Sequence, residues 1–288
     1  MAEKTASVLL DVGGTEIKAA IYRDGSLSEI TSYPSCSDRD SETVLSNLAG
    51  VIETEARGAV PMRVALAVPG PFDCENGVSL IRGVGKYDSI YGMDITAEIK
   101  KRLPSLADTA FDYTGDVEAF ALGVSDMIPD ARRGKIMCLC IGTGAGSAFL
   151  SDGGIIRSGV GVPENGWIYN LPFRDSVIDD YISVRGLGRL AEREFGRIMS
   201  GKELSALCVS GSVGTMRVYR RFGEELCEAV AMIDAVFRPD GIVFGGQITK
   251  AFEYFGEAVT EYCKKRSAAI HICPDTSEYA MRGLLSNK

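Results

Sequence analysis

The chain has 288 residues, of which 45% are hydrophobic and 24% charged, enough apolar material for one large or two modest cores without a staple. A formal net charge of −8 argues against nucleic acid, whose binding rests on Lys and Arg neutralising phosphates. No apolar run before Val8 resembles a signal-peptide core, and none later is long enough to span a bilayer, so a soluble, cytoplasmic protein is expected.

Val8-Leu9-Leu10-Asp11-Val12 reads as a buried strand, followed by Gly13-Gly14-Thr15, a second strand over Ile17 to Tyr22 and an Asp24-Gly25 turn. Ser41 to Arg57 spaces Val44, Leu45, Leu48, Val51 and Ile52 as an amphipathic helix. A strand is expected over Arg63 to Val68, closed by Pro69-Gly70-Pro71, then a helix from about Ile95 to Leu103. Ala110 to Tyr113 reads as a short strand entering a helix near Asp116.

Downstream the opening pattern repeats: Met137-Cys138-Leu139-Cys140-Ile141, then Gly142-Thr143-Gly144-Ala145-Gly146, then a strand and an Asp152-Gly153 turn. Two similar α/β halves follow from this, expected at 1–115 and 116–275. Phe222, Leu226, Ala229, Val230, Ile233 and Phe237 mark one face of a long helix stopped by Pro239. Ile242-Val243-Phe244 is a buried strand ending in Gly245-Gly246 and opening another helix. The last stretch, Thr276 to Leu285, is expected to be helical and to pack back on the first half.

Eight cysteines at irregular spacing without a C-x-x-C pair read as free thiols of a reducing compartment. Cys138 and Cys140 share one strand face by period two; with His271 the only histidine, they read as small buried hydrophobes and not as half of a zinc site. The short basic clusters Lys100-Lys101-Arg102 and Arg220-Arg221 read as solvated helix faces.

A strand that ends in Asp11 and turns through Gly13-Gly14-Thr15 suits a nucleotide triphosphate. Glycines let backbone N–H groups approach phosphate oxygens, Asp11 can hold hydrated Mg²⁺, and Thr15 and Lys18 add a hydroxyl and a charge. Gly142-Thr143-Gly144 offers the same donors from the second half, so the turns are expected to grip one phosphate chain across a cleft. Gly245-Gly246 leaves room for a flat adenosine.

Taken together, Asp11-Val12-Gly13-Gly14-Thr15, Gly142-Thr143-Gly144 and Gly245-Gly246 resemble, in order over essentially the whole chain, the phosphate and adenosine motifs of the ROK family of sugar kinases and related repressors. The resemblance implies an actin-like (ribonuclease H-like) ATPase fold: two α/β domains around a cleft, in a homodimeric transferase that uses ATP and Mg²⁺ on hexoses. The family's Asn-Asp-x-Asn-Ala segment matches Gly115-Asp116-Val117-Glu118-Ala119, which implies that Asp116 is the general base. Asp before Val-Glu-Ala-Phe is also a helix-cap pattern.

Several departures cluster at the sugar. Gly115 replaces Asn, Glu164-Asn165-Gly166-Trp167 stands for Glu-x-Gly-His, Ile178-Asp179 stands for Leu-Glu, and the family's Cys-rich zinc loop is absent. Gly70, Gly115, Glu164, Trp167 and Asp179 are the sugar-side candidates, no zinc is expected, and an aromatic residue at the His position is similar to β-glucoside kinases. Two rivals remain. One is a sugar-responsive repressor, disfavoured because the chain starts almost at its first strand and is acidic; the other is a non-catalytic sugar or nucleotide sensor.

Overall fold

The computed structural model describes residues 6–286. Its chain forms two compact units, one of residues 1–123 with 277–288 and one of residues 124–276. The division falls inside a helix beyond Gly115, because the first two turns of that helix pack within the first unit.

In the first unit, β1 (Ala6–Val12) and β2 (Glu16–Arg23) form a hairpin, extended by β3 (Ser26–Leu27) and β4 (Thr31–Pro34). Helix α1 (Ser41–Ala56) starts at Asp40, whose side chain accepts from the Thr43 N–H, and leads to β5 (Arg63–Val68). A small ribbon of β6 (Phe72–Asp73) and β7 (Val78–Ser79) precedes α2 (Ile95–Arg102), β8 (Ala110–Gly115) and α3 (Asp116–Met127). The sheet order is β3-β2-β1-β5-β8, with β5 and β8 parallel to β1.

Parallel strands covered on both faces must be apolar on both, and β1 is: Val8, Leu10 and Val12 join the core under α1 and α2, while Leu9 faces the other way. On that second face Leu9, Ala20, Ala65 and Ala67 meet Ala119 of α3 and Ala280, Met281 and Leu284 of the last helix, α9 (Thr276–Ser286). Arg102 is not solvated as its sequence cluster suggested: its side chain is 17% exposed and its guanidinium bridges Glu98 and Glu42.

The second unit repeats the wiring. The hairpin of β9 (Lys135–Ile141) and β10 (Ala145–Ser151) carries β11 (Gly154–Ile156) on one side. After a ribbon of β12 (Pro172–Phe173) and β13 (Ser176–Val177) come α4 (Val184–Phe195), α5 (Gly201–Val209) and α6 (Val213–Phe237). Then β14 (Gly241–Gly245) lies parallel to β9, and α7 (Phe252–Phe255) and α8 (Glu257–Arg266) lead to β15 (Ala269–Cys273), parallel to β14. The α6 positions read from the sequence as one face are all buried, against Leu139, Phe149 and Phe244 among others. Among the described residues no helix is long and apolar enough to cross a membrane.

Candidate active site

Register brings the first-unit candidates to one edge. Asp11 lies opposite Ala67, Ala67 opposite Thr114, and Val68 opposite Gly115. The Gly13–Thr15 turn, Pro69-Gly70 and Gly115-Asp116 therefore all leave the carboxyl ends of adjacent strands, where open α/β sheets bind ligands. Strand alternation puts Asp11 on the face of Leu9, and Lys18 on that of Ala20. There Lys18 Nζ donates to Ser277 Oγ at 2.7 Å, and Ser277 Oγ donates to Asp11 Oδ2 at 3.2 Å. Ser277, from the first turn of α9, was not legible as a site residue.

The glycine turn is held by its carbonyls. Tyr87 Oη donates to Gly13 O at 2.8 Å, Ser37 Oγ to Gly14 O at 2.6 Å, and Ser35 N–H to Thr15 O at 3.0 Å. Each peptide is planar and trans, so the next N–H points the opposite way. Gly13 N–H closes the hairpin on Glu16 O at 2.9 Å, and the Gly14 and Thr15 N–H groups have no protein partner among the described residues. Burial pushes the Tyr87 phenol well above its usual range, which keeps it a donor. Tyr87 and Ser37 carry no sequence signal: both reach the turn from distant loops. Next to Tyr87, the Lys86 side chain lies over Gly14, where an added Cβ would stand 2.7 Å from its Cδ and 2.9 Å from its Nζ.

Asp116 is the first residue of α3. Its Oδ1 accepts from the Val117 N–H at 2.8 Å, one residue on, whereas a capping side chain accepts from the second or third helical N–H. The carboxyl is pushed up to about 6; desolvation by surrounding protein comes first and the Asp11 charge second, against the pull of the Val117 amide. The side chain is nevertheless open to solvent. Repulsion from the Asp11 charge needs no burial and acts on the carboxyl even there. Glu118 folds back to within 3.8 Å of where a Gly115 side chain would begin, ordinary contact that leaves room for one.

In the second unit, Gly142 N–H donates to Gly144 O at 3.0 Å and closes the turn. Gly245 pairs with Cys140 in register, and Gly246, at φ 93°, packs so tightly that a Cβ would fall 2.5 Å from Ile141 O. The Gly142–Gly144 turn and the Gly245-Gly246 turn are thus neighbours on one strand edge. Gly246 opens a 3-10 turn (Gln247–Ala251) before the short α7, and not an α-helix directly.

Asp179 does not point at open space. One oxygen accepts from the Ala145 N–H at 2.6 Å and the other pairs with Arg185. A carboxylate oxygen thus already sits on an amide beside the glycine turn, as an anion would. Trp167 is not core: it is 40% exposed and its ring leans on Tyr169, centroids 6.0 Å apart, with Tyr169 itself 43% exposed. The pair is fixed from behind, where Ser147 Oγ donates to Gly166 O at 2.6 Å and accepts from Ile168 N–H at 3.0 Å. Glu164 is exposed at the start of the same turn. Tyr169 is an isolated tyrosine and carries no pattern in the sequence.

Among the described residues no three His, Cys, Asp or Glu side chains are grouped to hold a metal. Cys138 is fully buried and its thiol is raised well above the usual range by desolvation, as suits a core residue. The residue that would hold Mg²⁺ is Asp11, since a cation there would relieve the repulsion between Asp11 and Asp116.

The ROK family model matches residues 7–276. The chain is 24% identical over 281 residues to a glucokinase of Thermotoga maritima, covering 88% of this chain and 86% of that protein. It is 24% identical over 272 residues to an N-acetyl-D-glucosamine kinase of Haemophilus influenzae, covering 87% and 86%. Its fold is that of a ROK family glucokinase from Streptomyces griseus in complex with glucose and AMPPNP, with TM-score 0.77, 14% identity and 98% of each chain covered, which establishes the actin-like ATPase architecture. With a family match that runs from β1 to the first residue of α9 and contains both glycine-turn edges, the chain belongs to the ROK family.

Proposed function

We propose that the chain transfers the terminal phosphoryl group of ATP to a hydroxyl of a small sugar, with Asp116 as general base. The observation that carries this reading is the strand edge itself: Asp11 and Asp116 interact there, beside a turn whose carbonyls are all tied off. Above a pH of about 6 Asp116 is mainly ionised. With Oδ1 held by the Val117 amide, Oδ2 takes the hydroxyl proton as the oxygen attacks phosphorus, the service a carboxylate performs in other kinases. Mg²⁺, held by Asp11 through water, supplies charge neutralisation on the phosphate oxygens.

Gly14 and Thr15, in the turn that Gly13 closes, and Thr143 and Gly144, in the turn that Gly142 closes, offer their amides to phosphate. The Gly245-Gly246 turn, with Gly246 pressed against the Ile141 backbone, forms the adenosine side of the same reading, and Lys18 orients Asp11 through Ser277. Gly70, Gly115 and Glu164 serve the sugar, with the Trp167 and Tyr169 rings as an apolar face. Asp179, engaged twice already, keeps the second turn in shape. The relatives' names put glucose and N-acetylglucosamine first among acceptors, and the aromatic face favours β-glucosides as well. A homodimer, by family resemblance, and a cytoplasmic location, from the irregularly spaced free cysteines, are part of the same reading.

The test is coupled ADP release with Mg²⁺-ATP over a panel of hexoses, N-acyl hexosamines and β-glucosides. Sugar-dependent ADP release is expected for at least one class. Nucleotide binding with no sugar-dependent release from any would favour the sensor reading instead.

A further inference from the structure

A second lysine stands at the first glycine turn. Lys18, the basic residue expected at the phosphates, spends its ammonium on Ser277. Lys86 has neither hydrogen bond nor ion pair among the described residues, is half-buried, and lies over Gly14 with Nζ 2.9 Å from where a Cβ would be. The backbone is fixed on both sides of it. Asp88 accepts from the Val84 and Gly85 N–H groups at 3.3 and 2.9 Å, and the adjacent Tyr87 donates its N–H to Ser37 O and its hydroxyl to Gly13 O. Gly83 and Gly85, both at positive φ, give the loop the bends that aim residue 86 at the turn.

A Cβ at Gly14 would displace the flexible end of Lys86, so the bare peptide leaves the ammonium its place over the turn. Holding a long flexible cation over a bare peptide costs side-chain entropy, and no protein anion repays it. An anionic ligand on the Gly14 and Thr15 amides would, by a charge-assisted hydrogen bond. The anion at this turn nearest the proton acceptor Asp116, on the same strand edge, is the phosphoryl group being transferred.

We propose that Lys86 is a further catalytic residue, whose ammonium binds the terminal phosphoryl group of the nucleotide over Gly14 and stabilises the charge on its oxygens during transfer. The proposal rests on the kinase reading.

The test is calorimetric titration of the full chain, with Mg²⁺, by AMPPNP, ADP and AMP. Lys86→Met keeps the stem and removes the charge, so AMPPNP affinity should fall by about ten- to a hundredfold, while ADP changes by less than about threefold and AMP is unaffected. Lys86→Arg should keep most of the preference for AMPPNP. Unchanged AMPPNP binding, or an equal loss for all three nucleotides, would overturn the proposal, the latter marking Lys86 as structural. A wild-type chain that binds none of them would instead remove the kinase reading beneath it. If Lys86→Met melts below wild type, Lys86→Gln against Lys86→Arg makes the same comparison.

Discussion

At Asp116 the helix-cap and general-base readings separate on one substitution. Asn caps about as well as Asp, and the bond to Val117 is available to an amide oxygen, but an amide cannot accept the hydroxyl proton. Asp116→Asn is expected to lower turnover by at least about 10²-fold, mostly in kcat, with nucleotide affinity kept; a rate near wild type would leave Asp116 a spectator. The folded carboxyl titrates near 6 against an ordinary 3.8, so the folded state holds its proton more tightly than the unfolded chain. That stabilisation is complete below pH 3.8 and is lost as pH rises through about 6. In Mg²⁺-free melts, Asp116→Asn should match or exceed wild type above pH 6, with the difference shrinking toward pH 4. Asp11→Ala should abolish Mg²⁺-ATP use yet cost only on the order of 1–2 kcal/mol of stability, as for a half-buried hydrogen-bonded group. Ser277→Ala is its control, because it breaks the same contact and keeps the carboxylate. A loss of stability in Asp11→Ala as large as its loss of activity would assign Asp11 to structure.

The helices are where backbone contact decides most. A methyl added at Gly123 of α3 would stand 1.8 Å from Tyr279 O of α9, and one at Gly283 of α9 would stand 1.8 Å from Ala119 O of α3. Backbone cannot rotate aside, so the two helices would have to separate from the alanine-lined face of the sheet. Gly123→Ala and Gly283→Ala should each cost roughly 2–4 kcal/mol and lower activity too, since α3 begins with Asp116 and the first turn of α9 carries Ser277. Gly50 sits in α1 with nothing within 4 Å of its added Cβ, so Gly50→Ala should gain about 0.5–1 kcal/mol. Thermal melts of the three variants check both signs. In the sequence Gly50 and Gly123 look alike, each a glycine inside a helical pattern; only the neighbouring helix tells them apart. The buried face of α6 was readable because it follows from a period of 3.6 within one segment.

For the whole molecule, nucleotide binding should appear as stability. A free AMPPNP concentration a hundredfold above Kd adds about 2.7 kcal/mol to the state that binds, so the melting temperature should rise with Mg²⁺-AMPPNP and not with adenosine at equal concentration. Chelation by EDTA should stop ADP release and leave the melt of the ligand-free chain in place. A metal whose removal unfolds the chain would contradict the Mg²⁺-only reading. The sequence by itself determined the two α/β halves, the glycine turns that close each hairpin, and Asp11 and Asp116 as the carboxylates at strand ends, because these depend on side-chain period and turn chemistry over a few residues. Only the tertiary structure decided that Tyr87 and Ser37 tie down the first turn, that Ser277 joins Lys18 to Asp11, that Asp179 is already engaged, that Trp167 is exposed beside Tyr169, and that Lys86 covers Gly14. Each of these is a meeting of segments far apart in the chain, fixed by how sheets and helices pack and not by any pattern a short stretch of sequence carries.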